Sequence, residues 1–234
     1  MNSPLIQVAG ILVIGGKSDA ASQSVEFWSA AADPEQESCV LNDYPREMYN
    51  GPTVNLVSGR LVACYWGACE IYKEGSWQHL QDTAATRYYH SSATREDAVL
   101  LIGGSSSNST EWIPVDGPAG QPGPFTVRHG YSHCTNQLSD DIIVVTGGFG
   151  TGAFVTEYHL EEGTKTHLTP MGQPRWVHAC GVYRDANYQQ VSKRFKFKKL
   201  RIYQDADDQQ VSLKDFAASS TVQCDNVIIK TLVD

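Results

Sequence analysis

Short apolar runs that stop at glycine punctuate this chain. ILVIGG ends at Gly16, AVLLIGG at Gly104 and IIVVTGG at Gly148, and a degenerate LVACYWG ends at Gly67. The ends of these elements lie 51, 37 and 44 residues apart. Each run is too short for a helix and is bounded by turn residues, so it reads as a buried strand. A polar loop follows, such as residues 105–109. Then comes a stretch with an aromatic or β-branched residue: VEFW at 25–28, CEIY at 69–72, TEWIPV at 110–115 and VTEYHL at 155–160. SWQHL and KTHLT read as a further, outer strand. A period of ~40–45 residues with several short strands is what a β-propeller blade requires, a small twisted sheet whose faces are covered only by its neighbours. The apolar run is expected to be the buried strand near the central axis. The paired glycines Gly15 and Gly16, Gly103 and Gly104, and Gly147 and Gly148 are expected where the chain turns too sharply for a Cβ.

A second feature keeps step with the first. RYYHSS places His90 thirteen residues before Gly103, and HGYSHC places His133 fourteen before Gly147. RWVHAC places His178 where another glycine pair falls due near positions 191 and 192. An Arg-x-x-His lead-in occurs at Arg87/His90 and again at Arg175/His178. With the glycine-terminated runs and the later aromatics, this resembles the kelch family over roughly residues 10–191. Tyr72 and Trp77 are the best copy of that family's Tyr followed by Trp. Trp28 and Trp112 come early, and Tyr158 has no following Trp. The resemblance implies a propeller of four-stranded blades. It also implies a binding scaffold, commonly for proteins, with a minority of members carrying an oxidase site.

The pattern breaks after residue 191. Residues 200–212, LRIYQDADDQQVS, echo residues 180–192, CGVYRDANYQQVS, at a constant offset of 20, and no glycine pair follows. Two readings stand for residues 192–234: an extension that docks on the last blade, or a duplicated or mis-joined segment in place of later blades. The echo restarts in mid-strand, which favours the second. The fold expected is therefore all-β and kelch-like, an incomplete propeller of about three to four blades over residues 5–191 with a divergent tail. The alternating FKFKKLRIY and the run NVIIKTLV are candidate strands that could patch an open edge.

Composition agrees with strands. Apolar residues make up 41% and charged residues 19%, with 20 Gly, 10 Pro, 11 Tyr and 5 Trp. Tyr and Trp favour strands over helices. The net charge of −8 argues against nucleic acid as a partner, since that surface calls for clustered cations. No apolar stretch is long enough to span a bilayer. The opening MNSPLIQVAGILVIGG lacks the basic start and small-residue cleavage site of a signal peptide and reads as a strand. Among six cysteines, Cys64 and Cys69 flank a turn between two strands and can face each other at disulfide distance. Asn108 opens an NST glycosylation sequon. Together these tilt the setting slightly toward extracellular or secretory over cytoplasmic.

Chemistry is sparse. Three histidines, one per repeat, could ligate zinc in principle, but a residue repeated once per blade usually repeats a structural task, such as a bond between neighbours. A copper oxidase site of two His and two Tyr cannot be assembled from the residues, although Tyr65 stands beside Cys64. GGFGTG at 147–152 lacks the lysine and following helix of a phosphate loop and reads as a turn. No cofactor is expected and no enzyme. The candidate binding residues precede the inner strands: Arg87, Tyr88 and Tyr89; Arg128, His129 and Tyr131; Arg175 and Trp176. Arg, Tyr and Trp are the residue types that dominate protein interfaces. The arginines have an equal claim as packing residues. The partner expected is a protein or a glycan, held by loops at the blade ends. The alternatives are a copper radical oxidase-like propeller, or a truncated product with no function of its own.

Overall fold

The computed structural model describes residues 10–14, 23–29, 38–47, 53–182 and 222–223. Within them every regular element is a strand, and the strands form four four-stranded sheets. The first sheet is β1 (Gly10–Ile14), β2 (Val25–Ser29), β3 (Ser38–Leu41) and β16 (Val222–Gln223). The second is β4 (Thr53–Val57), β5 (Arg60–Tyr65), β6 (Ala68–Lys73) and β7 (Ser76–Asp82). The third is β8 (Ser91–Arg95), β9 (Ala98–Ile102), β10 (Ser109–Pro114) and β11 (Gln121–Thr126). The fourth is β12 (Cys134–Gln137), β13 (Ile142–Thr146), β14 (Val155–His159) and β15 (Thr164–His167). Neighbours are antiparallel, except that β16 runs parallel to β3, with Val222 opposite Cys39. Gly15, Gly16, residues 183–191 and the expected tail apart from Val222–Gln223, FKFKKLRIY and NVIIKTLV included, lie outside the described residues.

The second sheet shows how local sequence makes the meander. Its three hairpins are two-residue turns, Ser58-Gly59, Trp66-Gly67 and Glu74-Gly75, with positive φ at every position. That backbone matches the strand twist, and glycine adopts it without cost at the second position. Cys64 and Cys69 stand directly opposite across the Trp66-Gly67 turn, at disulfide distance (S–S 2.08 Å).

Alternation along the apolar runs stacks the sheets in chain order. In β5, Ala63 and Tyr65 join Val25, Leu41 and Tyr44 of the first sheet, while Val62 and Cys64 join Val99, Leu101 and Ile113 of the third. In β9, Leu100 and Ile102 turn the other way, to Ile143, Val145 and Tyr158 of the fourth. These two runs are thus buried on both faces by different partners, which is why they show no polar alternation.

In the second, third and fourth sheets the apolar run is the second strand in chain order, whereas in the first sheet it is β1. The first strands, β4, β8 and β12, lie closest to one another and are bonded by side chains. Ser92 Oγ donates to Asn55 Oδ1 at 2.9 Å, and the Ser91 and Thr135 hydroxyls are 2.6 Å apart. Gln137 Oε1 accepts from Thr94 N at 2.9 Å, and its Nε2 donates to Thr94 O at 2.6 Å. Hydroxyl and amide groups suit this position because the strands meet too closely for large apolar side chains. At the hairpin end of the stack, arginine ties successive sheets: Arg60 grips Asp116 through two bonds, and Arg95 reaches Glu161 at 2.8 Å.

Candidate functional site

The meander sends two kinds of loop to one end of the stack. One kind joins second to third strands (residues 66–67, 103–108 and 147–154). The other carries the chain toward the next first strand (residues 83–90, 127–133 and 168–182). Six of the eight expected binding residues lie on this end at least partly exposed, and two do not.

His129 is a correction and Arg87 takes the packing role held open for it; each is only 1% exposed. Arg87 Nη1 donates to the carbonyls of Gly103 (2.9 Å) and Ser109 (2.8 Å), and Nη2 to Ser109 Oγ (2.8 Å) and Glu111 Oε2 (3.4 Å). Burial pulls its pKa down, and the Glu111 carboxylate opposes that pull. His129 does the same task one repeat later. Its Nδ1 donates to Gly147 O at 2.9 Å, and Nε2 lies 2.9 Å from the Thr156 hydroxyl. Both side chains therefore satisfy the carbonyl of the first glycine of a pair, and neither can reach a partner.

The repeated histidines sit just beneath the surface. His90 Nε2 is 3.0 Å from Thr53 Oγ1 of the second sheet, and His178 Nε2 is 3.1 Å from Thr146 Oγ1 of the fourth. His133 Nδ1 donates to Gly130 O at 3.2 Å. The rings of His133 and His178 lie against Gly103 and Gly147, where an added Cβ would come within 2.9 and 2.5 Å of Cε1. The residue before each histidine has positive φ: Tyr89, Ser132 and Val177. These three form a backbone chain, Ser132 N donating to Tyr89 O at 2.9 Å and Val177 N to Ser132 O at 3.0 Å. Neighbouring connections are thereby locked in register.

That lock brings the aromatic side chains together. Tyr89 and Tyr131 have ring centroids 5.8 Å apart, Tyr131 stacks on Phe149 at 4.9 Å, and Phe149 meets Trp176 edge-on at 6.1 Å. Trp66 lies 5.4 Å from Tyr88. Trp66, Tyr89, Phe149 and Trp176 are 52%, 40%, 51% and 55% exposed, so the row faces solvent. Arg128 is exposed beside it and Arg175 half-buried. Trp66 and Phe149 were not among the expected residues. The signal was a large aromatic set directly beside glycine in a turn, in YWG and GGFG, where a core residue is out of place.

Charge is divided between the two ends. Among the described residues from Tyr65 onward, the loops of the aromatic end contain no Asp or Glu, though exposed Asp82 closes β7 opposite Ala68, and Asp43 and Glu47 lie in the connection leaving the first sheet. The opposite loops carry Glu74, Glu96, Asp97, Asp116, Asp140, Asp141, Glu161 and Glu162. Asn108 is exposed in a loop of the aromatic end, while Thr110 of the same sequon is buried and bonded to Phe125 O at 2.6 Å. Among the described residues no three His, Cys, Asp or Glu side chains gather as a metal site. Among them, too, no helix is long and apolar enough to cross a membrane.

The buried histidines make the end acid-sensitive. Burial holds His133 and His90 down to about 4, helped by the charges of His129 and Arg87 respectively, from an ordinary value of 6.5. The unfolded chain therefore binds protons that the fold refuses. Stability from these neutral rings is intact above about pH 6.5 and is lost as pH falls toward about 4. Chemical denaturation at stepped pH should show a midpoint steady around neutrality and falling across that window. A flat profile would contradict the burial.

No protein-family model matches this chain, and no curated protein matches it.

Proposed function

We propose that this chain is part of a kelch-like β-propeller and acts as a non-catalytic binding scaffold, receiving a protein or glycan surface on its aromatic end. The observation that carries this reading is the solvent-facing row Tyr89–Tyr131–Phe149–Trp176, set on loops (residues 83–90, 127–133, 147–154 and 168–182) that contain no Asp or Glu, in a chain of net charge −8. Exposed aromatic rings in water are unfavourable unless a partner covers them, and clustered patches of this kind mark interaction sites. Rigid loops suit recognition because little motion is lost on binding. Two cysteine pairs at disulfide distance fit a secretory or extracellular setting.

The test uses a displayed peptide library and a glycan array in parallel. Ligands enriched by the wild-type chain should lose at least about 30-fold in affinity for a Phe149→Ala/Trp176→Ala variant, the size of a hot-spot loss of ~2 kcal/mol or more. The variant's thermal unfolding should be little changed, since both side chains are half in solvent. Ligands that bind both chains equally would overturn the assignment of this face.

A further inference from the structure

We propose that the Cys134–Cys180 pair is a redox latch that holds Trp176 in the aromatic row, so that a dithiol reductant can dismantle one end of the face without unfolding the protein. Its consequence for binding rests on the reading of that face given above. The latch itself does not.

Cys134 opens β12, and Cys180 lies near the end of the connection 168–182 that leaves the fourth sheet; the two are at disulfide distance. This link closes a loop 46 residues apart in sequence around the whole sheet. The two cysteine pairs differ in access. Cys64 and Cys69 are 1% and 0% exposed between sheets, whereas Cys134 and Cys180 are both only half-buried. A reductant therefore meets the second pair first.

The connection is also held by backbone bonds up to Val177: Leu168 N donates to Val155 O, Met171 N to Ala153 O, Arg175 N to Gly152 O at 2.6 Å and Val177 N to Ser132 O, while Arg175 O accepts from Gly148 N, and His178 reaches Thr146. Trp176 and Val177 are largely in solvent. Val177 has φ of 51°, a conformation that a β-branched residue adopts only under constraint. Tyr89 and Ser132 take the same conformation before their histidines, and at Val177 the disulfide adds a constraint three residues downstream to the bond with Ser132 O. Once it is cut, Val177 can relax to negative φ. That rotation carries Trp176 away from Phe149.

The chemistry balances with a small dithiol as reductant. One of its thiolates attacks a sulfur of the pair, forming a mixed disulfide and releasing the other cysteine as thiolate. The second thiol closes the reductant to its own disulfide and releases the remaining cysteine, and both protein thiolates take up protons.

The experiment titrates the folded chain with a dithiol under native conditions, alkylates it and maps the labels by mass. In parallel, fluorine NMR follows fluorotryptophan-labelled protein, with the Trp176 resonance assigned by Trp176→Phe. Cys134 and Cys180 should label before Cys64 and Cys69. The Trp176 resonance should shift while those of Trp77 and Trp112 stay. Limited proteolysis within residues 168–182 should quicken about ten-fold or more, since local opening no longer works against a closed loop. A Cys134→Ser/Cys180→Ser variant in oxidising buffer should show the same moved resonance. Simultaneous labelling of all four cysteines only on unfolding would overturn the proposal. So would selective reduction that leaves Trp176 where it was. Neither readout needs a ligand, so failure here removes the latch and leaves the recognition reading to its own test.

Discussion

Arg87→Leu is expected to lower stability by about 3–5 kcal/mol, the cost of removing one member of a buried ion pair. Arg87 and Glu111 are 2% and 4% exposed, and their side chains meet at 3.4 Å. Leucine would leave the Glu111 carboxylate enclosed, with Ala84 N as its remaining donor at 2.7 Å. It would also strip the Gly103 and Ser109 carbonyls of their guanidinium bonds. Both losses act at the junction between the second and third sheets, so the whole stack should feel them. Arg60→Leu is the control. It breaks a well-formed bidentate pair, but Asp116 is 72% exposed, and water readily replaces the partner there. Urea midpoints of the two variants separate the cases. Equal midpoints would mean that Arg87 is in solvent, the binding alternative that its sequence context left open.

Gly148→Ala is the second large effect. Gly148 has φ of +109°, which alone costs a residue with a Cβ about 1–3 kcal/mol. The new methyl would also overlap the His129 carbonyl oxygen, and it would sit 3.2 Å from His133 Cβ. That carbonyl cannot retreat freely, because His129 is fixed at Gly147 O and Thr156. The expected outcome is a loss well beyond the backbone term, seen as a fall in folded yield and thermal midpoint. Gly150→Ala isolates the backbone part. Gly150 also has positive φ, at +83°, but nothing lies within 4 Å of its would-be Cβ. If the two variants proved equally stable, the close approach of the connection to the glycine pair would be wrong.

These two predictions also mark where the sequence was legible. The glycine-terminated runs, the aromatic third strands and the Cys64–Cys69 hairpin could be read from short segments, because each depends on contacts a few residues away. The first strands could not. TVNLV, SSATR and CTNQ have neither a clean alternation nor an apolar run, and their hydroxyl and amide groups make sense only once a neighbouring sheet stands beside them. Arg87 was left open between packing and binding, and His129 was placed outside, for the same reason. A charged residue in a loop reads as solvated until Glu111 or Thr156, more than twenty residues away, is known to be its partner. A signal was present and missed. A glutamate recurs in the aromatic strands as Glu26, Glu70, Glu111 and Glu157, and both Glu70 and Glu111 are buried. Glu70 accepts from the Tyr44 hydroxyl and lies 3.1 Å from Arg46, the same role of clasping the connection from the preceding sheet that Glu111 plays for Arg87. The pairing of Cys134 with Cys180 was likewise out of reach, since their 46-residue separation is bridged by a full sheet.

The four exposed rings were partly legible. Tyr89 and Trp176 stood out as interface residue types in a lead-in, whereas Trp66 and Phe149 hid in turns. The joining of Tyr89, Phe149 and Trp176 with Tyr131 into one row follows from the backbone chain Tyr89–Ser132–Val177, which no local pattern encodes. The most direct test of the account is therefore where a selected ligand sits. Hydrogen–deuterium exchange with and without a ligand taken from the peptide or glycan selection should show protection at residues 88–90, 131–133, 148–150 and 175–178. Protection confined to the acidic end, around Glu96, Asp116, Asp140 and Glu161, would contradict it.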